Sequence, residues 1–353
     1  MSSAKEILYI AQDSESAQYR YRCLNVAQAI ENSHKYFVKI FLKDKIGDAE
    51  QRLSEASLVV IERQTAKDGV ILDFIKKAHG QNVKVLLDID DLVFDYRDLL
   101  TLMRSTNSKN VFYWVGYFWG IRRIAKKVDG FIVTNDFLGK KIQRTFRRPY
   151  KVIFNSLNRE QIEKSKEYLK KKSSGFRIGY FSGSPTHTKD FRMVEPELLR
   201  FLDKHKEVKL DVVGYMEFSS QAAGYIKSGR IKIHKLVSYL EMLEMMAEVN
   251  VNIAPLLIND FTNCKSELKF FEAAAVETTT IASPSFTFKN AISDGKNGFL
   301  AEPGEWYSKL EYLYEHPEEN KKMAKAARNY ALKHYAGEEF LKQIEEAYDY
   351  FAK

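Results

Sequence analysis

The sequence predicts an α/β protein made of two doubly wound, mostly parallel sheets facing each other across a cleft. Three observations lead to that class. Strand-length β-rich runs alternate with helical segments in both halves of the chain, the pattern of parallel sheets covered on both faces. A charged, apolar-poor stretch, "NREQIEKSKEYLKKKSSG" (Asn158–Gly175), separates the halves. The 353 residues, 45% of them hydrophobic, exceed what a single core of ~150–200 residues usually organises.

The elements follow in order. "EILYIA" (Glu6–Ala11) is a short apolar run ahead of a helical stretch around Leu24–Ile30. "YFVKIFL" (Tyr36–Leu42), "SLVVIE" (Ser57–Glu62), "VKVLLDID" (Val83–Asp90), "GFIVTN" (Gly130–Asn135) and "YKVIFN" (Tyr150–Asn155) are β-rich and of strand length. After the charged stretch the alternation resumes with "FRIGYFSG" (Phe176–Gly183), "VKLDVVG" (Val208–Gly214), "RIKIHK" (Arg230–Lys235), "VNVNIAP" (Val249–Pro255) and "TTIAS" (Thr279–Ser283). The last ~50 residues carry Tyr, Leu and Ala at helical spacing. The expected division is a first domain over 1–158, a linker over 159–175 and a second domain over 176–335. Residues 336–353 are expected to form a helix packing back toward the first domain. No repeat of solenoid length is present.

Composition narrows the function classes. No stretch resembles a signal peptide, and no apolar run reaches the ~20 residues needed to span a bilayer. Two cysteines, Cys23 and Cys264, provide neither a disulfide framework nor a C-x-x-C metal pair. The expectation is a cytosolic, zinc-free protein. A net charge of +8 suits anionic partners such as phosphate esters or an anionic membrane face. Nucleic acid is not expected, for want of a recognition motif or a concentrated basic helix.

Open α/β sheets bind ligands beyond the carboxyl ends of their strands. In this chain those places read "AQDSESAQYRYR", "DIDDLVFD", "FNSLN", "FSGSPTHTKDF", "VGYMEF" and "PLLINDFTNCKSE". Their polarity points to one cleft between two domains.

The most telling stretch is "NCKSELKFFEAAAVETTTIAS" (Asn263–Ser283), a polar head running into a helix and then a β-branched strand. Ser266 is a good N-cap, and the N–H groups after it form a ready site for a diphosphate. Lys265 adds a charge just before the cap. Lys269 and Glu272, three apart, share a helix face, while Leu268, Phe271 and Ala275 share the face that docks on the sheet. A solvent-exposed Lys269–Glu272 pair is the alternative reading. In "SGSPTHTKDF", Gly183 permits close backbone approach, Ser184 and Thr186 offer hydroxyls, and His187 and Lys189 offer positive charge. "VKVLLDIDDLVFD" ends on Asp88, Asp90 and Asp91, but without His or Cys the cluster is a poor metal site. "NVFYWVGYFWGIRRIAKK" (Asn110–Lys127) mixes aromatics with Arg122, Arg123 and two lysines. It reads as an amphipathic membrane-surface helix or as a core helix with a basic end.

Taken in order, these segments resemble the retaining glycosyltransferases of GT-B architecture, specifically the family 4 grouping. "KSELKFFEAAAVETTTIAS" is similar to the family's signature helix, and "DGKNGFLAEPGEW" (Asp294–Trp306) to its N-G-hydrophobic segment. "VGYMEF" resembles the strand end bordering the nucleotide pocket, which brings in Gly214. "YKVIFNSLN" resembles the close of the first domain, with Asn155 at the family's asparagine.

The resemblance implies metal-independent transfer of a sugar from a nucleotide diphosphate sugar to a hydroxyl acceptor, a glycan or a lipid-linked precursor, with retention. It implies that Glu272 holds the nucleotide ribose, a carboxylate being able to bridge a cis-diol with its two oxygens. Asp90 is expected at the donor sugar or the developing cationic anomeric carbon, and Lys189 and Lys265 at the leaving diphosphate. Gly183, Ser184, Thr186, His187, Gly214, Cys264, Ser266, Glu267 and Lys269 complete the expected donor set. Arg20, Arg22, Asp91 and Asn155 are expected to meet acceptor or phosphate. No cofactor or metal is expected.

There are departures. Cys264 stands where many members carry a second glutamate, and Glu277-Thr278-Thr279 replaces a Gly-x-Pro turn. Glycines are missing from the first loop, "SAQYRYRCLN". A nucleotide-sugar epimerase of the same architecture and a non-catalytic nucleotide or sugar binder are the competing readings.

Overall fold

The computed structural model describes residues 4–66, 68–106, 108–172, 175–182, 188–214 and 216–352. Two six-stranded sheets, parallel throughout, organise the chain. The first contains β1 (Lys5–Ala11), β2 (Tyr36–Leu42), β3 (Ala56–Glu62), β4 (Val85–Ile89), β5 (Gly130–Val133) and β6 (Tyr150–Val152), in the order β2-β1-β3-β4-β5-β6. The second contains β7 (Arg177–Phe181), β8 (Lys209–Val213), β9 (Ile231–His234), β10 (Val251–Ala254), β11 (Thr279–Ala282) and β12 (Phe299–Leu300), in the order β12-β11-β10-β7-β8-β9. Both orders turn back on themselves at the first strand, so each sheet has a switch point where a ligand crevice forms.

The central strands are continuous apolar runs because helices cover both of their faces. Ile7 to Ala11 of β1 and Leu58 to Ile61 of β3 are fully buried. Several strands are shorter than the apolar runs that predict them. Asp90 and Asn155, for instance, lie beyond the ends of β4 and β6 because the chain has already left the ladder to form cleft loops. The two-residue β12 has no β-rich run of its own and is held by pairing to β11.

Helix boundaries follow local capping. Asn158 and Gln161 form a reciprocal box at the start of the Arg159–Tyr168 helix, and Ser238 and Glu241 do the same for Tyr239–Glu248. The charged stretch between the sheets is therefore helical over Arg159–Tyr168, and Tyr168 enters a second-domain core cluster.

The long Pro317–Tyr335 helix lies on the Leu268–Ala275 helix and on β11. The chain then crosses back, and Phe340, Ile344, Tyr348 and Phe351 of the Glu338–Phe351 helix join a core cluster with Ile7, Tyr9 and Leu86. Tyr348 and Tyr9 share a buried hydroxyl–hydroxyl bond of 2.8 Å. Where the two crossings meet, Leu157 N donates to Tyr335 O at 2.9 Å. Among the described residues, no helix is long and apolar enough to cross a membrane.

Glu277 adopts a left-handed φ of 55°, at the turn where the resemblance leads one to expect glycine. Such a backbone costs an L-residue about 1–2 kcal/mol. The turn is closed by Glu277 N on Ala274 O and Thr278 N on Ala273 O, both at 3.0 Å. Lys172 secures the next residue, donating to Thr278 Oγ1 at 2.8 Å and to Val249 O at 2.9 Å.

Candidate functional site

A cavity of about 400 Å³ opens between the carboxyl ends of the two sheets. Its first-domain wall includes Gln18, Arg20, Tyr21, Asp90, Asp91 and Asn155. Its second-domain wall includes Lys265, Ser266, Leu268, Lys269 and Glu272, from the approach and first turns of the Leu268–Ala275 helix.

The helix begins one step later than the sequence predicts. Glu267, not Ser266, is its N-cap, and Glu267 makes no side-chain capping bond. The Ser266 hydroxyl instead accepts from Asn155 Nδ2 at 2.8 Å, tying the second domain to the end of the first. Asn155 Oδ1 accepts from Arg22 Nη1 at 3.1 Å, so both ends of this amide are engaged by protein.

Glu272 is buried. Its Oε1 accepts from the Tyr21 hydroxyl and, at 3.2 Å, from Gln161 Nε2, whereas its Oε2 has no partner among the described residues. The solvent-exposed Lys–Glu pair is thereby ruled out. So is a carboxylate with both oxygens free to bridge a diol, because one is already taken. Burial raises the Glu272 carboxyl above its ordinary range, against the pull of Tyr21 and Arg20.

Lys269 Nζ is also buried and unpartnered. It lies 4.6 Å from the Tyr180 ring centroid, and burial pushes it down to about 8. Arg20 lies 4.1 Å from the Tyr239 centroid and 4.7 Å from that of Tyr21, and its Nε has no partner. One interdomain cavity thus gathers three unsatisfied buried polar atoms: two cationic donors and one carboxylate oxygen. Native proteins leave few such atoms, and a ligand is a common reason for those they leave.

The three aspartates at the end of β4 and just beyond it are each matched to a cation. Asp88 pairs with Arg22, Asp90 with Arg63 at 2.6 Å, and Asp91 with Lys265 at 3.4 Å. Burial pushes Asp88 up to about 6 against the pull of Arg22. Burial also works to raise Asp90, but the Arg63 guanidinium holds it below the usual carboxylate range. Asp90 therefore meets the cavity ionised and oriented.

Several expected donor or acceptor residues lie elsewhere. Arg22 is 1% exposed and lines neither the interdomain cavity nor the one that adjoins it. Two of its bonds go to Asp88 at 2.8 and 3.0 Å, one to Ile153 O at 2.7 Å and one to Asn155. Helical turns run from Ala17 to Ile30, and residues two apart on a helix face opposite ways, which sends Arg20 to the cleft and Arg22 to the core. Cys264 is fully buried within the first domain's core cluster beside Phe261. Burial suppresses the acidity of its thiol, which lines neither the donor cavity nor the one beside it, and its backbone is engaged, the N–H by Phe261 O at 3.2 Å and the carbonyl by Asn135 Nδ2 at 2.7 Å.

Glu267 faces away from the 400 Å³ cavity and lines a separate one of about 310 Å³ with Phe154, Phe286 and Tyr335. It accepts from the Tyr335 hydroxyl at 2.6 Å. Gly214 lines none of the cavities described here. Its φ is 96°, and a Cβ would meet the Ser182 carbonyl oxygen at 2.1 Å, so strand approach alone demands glycine. Lys189 lies in an adjoining cavity of about 290 Å³, donating to Arg104 O at 3.2 Å; Lys265 lines both cavities. Gly183, Ser184, Thr186 and His187 lie outside the described residues.

Reasoning from sequence missed Tyr21, Arg63 and Gln161. Arg63 directly follows β3, so the strand-end rule points to it. Tyr21 sits between the two arginines singled out in "QYRYR". Gln161, inside the apparent linker, carries no such signal.

Known structures share this arrangement of domains. The structure of Anabaena Alr3699/HepE in complex with UDP-glucose superimposes with a TM-score of 0.62 at 15% identity, covering 98% of this chain and 99% of that one. A glycosyltransferase from Rickettsia africae gives 0.66 at 13%, covering 99% of each chain. Sucrose-phosphate synthase from Thermosynechococcus elongatus gives 0.62 at 13%, covering 98% of each. The architecture is GT-B. Residues 192–346, most of the second GT-B domain with the start of the closing helix, match the family model described as glycosyl transferase-like. No curated protein sequence matches the chain. The 400 Å³ cavity is thus the interdomain cleft of a GT-B fold, lined on one side by residues of the matched region.

Proposed function

We propose that the protein is a glycosyltransferase that takes a sugar from a nucleoside diphosphate sugar and passes it to a hydroxyl acceptor. One observation carries this reading: Arg20 Nε, Lys269 Nζ and Glu272 Oε2 stand buried and unsatisfied around a single interdomain cavity. Two cationic donors match a diphosphate, and a carboxylate oxygen matches a ribose hydroxyl. The glycosyl transferase-like match over residues 192–346 supports the reaction class. The HepE structures, with UDP or UDP-glucose bound, favour uridine as the nucleoside.

In this mechanism the acceptor oxygen bonds to the anomeric carbon while that carbon's bond to the diphosphate breaks. The acceptor proton passes to the departing diphosphate. Charge grows on the leaving group, and Lys269, Lys265 and Arg20 stabilise it in a site that excludes water; one preorganised contact of this kind is worth about 3–4 kcal/mol. Asp90, ionised beside Arg63, stabilises positive charge at the anomeric carbon. Attack from the face of the departing diphosphate retains configuration. The cations of the chain carry the electrostatic work, and no metal is required.

The acceptor side includes a lipid surface. Phe112 is 89% exposed and Trp119 54%, on the Val111–Ala125 helix, with Tyr113 and Leu100 also exposed nearby. Residues 99–127 hold six Lys and Arg and no acid. These features support reversible docking on an anionic membrane.

Isothermal calorimetry with UDP, GDP, TDP and ADP tests the donor site. UDP is expected to bind to wild type, and Glu272→Gln to weaken it about 10–100-fold, the worth of a hydrogen bond to a charged group. Equal affinity in the variant removes the basis of the proposal.

A further inference from the structure

The cavity of about 310 Å³ that Glu267 lines plays no part in the sugar transfer described above. Three parts of the chain build it. Asp136 and Phe154 come from the first domain, Glu267 and Phe286 from the second, and Tyr330 and Tyr335 from the Pro317–Tyr335 helix. It lies across the start of the Leu268–Ala275 helix from the donor cavity, whose walls it does not share.

Its lining is acidic and aromatic. Among its described lining residues there is no Lys, Arg or His. The ring centroids of Phe154 and Tyr330 lie 5.7 and 6.2 Å from that of Tyr335, and Phe286 adds a further ring to the wall. Polar groups around these rings are engaged by protein. Asp136 pairs with Lys140 at 2.7 Å, Thr287 Oγ1 donates to Lys265 O at 2.9 Å, and Gln343 Oε1 accepts from Phe154 N at 3.0 Å. Glu267 differs from them. It is 4% exposed, its Oε1 accepts from the Tyr335 hydroxyl at 2.6 Å, and its Oε2 has no partner among the described residues. Burial pushes this carboxyl up to about 7, so near neutral pH a counter-cation would hold it ionised.

A buried carboxylate oxygen beside aromatic rings complements an organic cation. The oxygen takes a charge-assisted hydrogen bond, and the ring faces attract the positive charge. A metal ion fits poorly, because Ca²⁺ and Mg²⁺ gather about six or more oxygens. The described residues hold no cluster of three metal-ligating side chains. We propose that this cavity binds a small primary amine, its ammonium hydrogen-bonded to Glu267 Oε2 and its alkyl chain set against Phe154, Phe286 and Tyr330. A quaternary ammonium lacks the N–H that Oε2 calls for, and an alcohol lacks the charge. The site stands independently of the donor reading.

Saturation-transfer NMR titrations of the full chain with butylammonium, tetramethylammonium and butanol, at matched ionic strength, read the site. Butylammonium is expected to give a saturable signal and the other two much weaker ones. Glu267→Gln, which keeps the shape, is expected to weaken butylammonium about tenfold or more, the loss of a hydrogen bond to a charged group. Phe286→Leu should weaken it about fivefold, the worth of one desolvated cation–π contact, and decides the matter should Glu267→Gln fail to fold. Glu272→Gln should leave it unchanged, since that carboxylate belongs to the donor cavity. Absence of a butylammonium signal, equal binding of butanol or tetramethylammonium, unaltered binding in the folded Glu267 and Phe286 variants, or loss in Glu272→Gln overturns the inference. Butylammonium binding without UDP binding leaves this site standing and removes only the donor reading.

Discussion

Tyr21 of the first domain donates its hydroxyl hydrogen to Glu272 of the second, inside the interdomain cavity. The bond fixes the carboxylate from one side and leaves Oε2 as its free face. It also makes the donor wall a product of both domains, since the group that orients Glu272 arrives from across the cleft.

Tyr21→Phe is expected to lower stability by about 1.5–3 kcal/mol, the worth of a hydrogen bond to a charged partner. UDP affinity should fall with it, because Glu272 loses its orienting bond. Denaturant melts and calorimetry on the same sample measure both. Tighter UDP binding in the variant would mean that Tyr21 competes with the nucleotide instead of preparing its site.

Burial pushes Lys269 down to about 8, and a bound diphosphate favours its charged form. UDP affinity should therefore hold below pH 8 and fall above it, approaching about tenfold per pH unit. Lys269→Met removes this pH-dependent component and weakens binding at neutral pH. A wild-type profile flat from pH 7 to 10 contradicts a role for this ammonium.

Burial pushes Glu267 up to about 7, against the pull of the Tyr335 hydroxyl. A carboxyl raised on folding binds more protons in the native state than in the unfolded chain. Its contribution is full below its ordinary value near 4.5 and is lost as pH rises toward 7. Glu267→Gln should thus gain stability relative to wild type between pH 5 and 8, by up to about 3 kcal/mol at 1.36 kcal/mol per unit. Urea melts across that range give the difference, and a constant gap between the two proteins negates the assignment.

Replacing Phe112 and Trp119 together by Ser should cut co-sedimentation with phosphatidylglycerol vesicles about tenfold or more, with little change in thermal midpoint because both rings are exposed. Neutral phosphatidylcholine vesicles and high salt should weaken wild-type binding in the same assay. Equal sedimentation of variant and wild type removes the membrane face.

The alternation of β-rich and helical runs was enough to read two parallel sheets, because strands buried on both faces must be apolar throughout. The strand-end rule was enough to reach Asp90, Lys265 and Arg20, because parallel strands deliver their following loops to one edge. Facing direction was not legible. Arg20 and Arg22 are two residues apart, as are Cys264 and Ser266, and each pair reads as equally polar or equally loop-like. A helix turns each residue about 100° from the last, and its phase is set by whatever its other face buries. Arg22 turned inward, where it pairs with Asp88, while Cys264, in the turn between two helices, packs into the first domain's core beside Phe261. Glu272 was found by its place in a motif, but its single free oxygen was decided by Tyr21 and Gln161, 251 and 111 residues away. Periodicity within the chain thus determined the sheets and the edge that carries the site. Contacts between distant segments, which no local pattern records, decided which atoms at that edge remain free to bind.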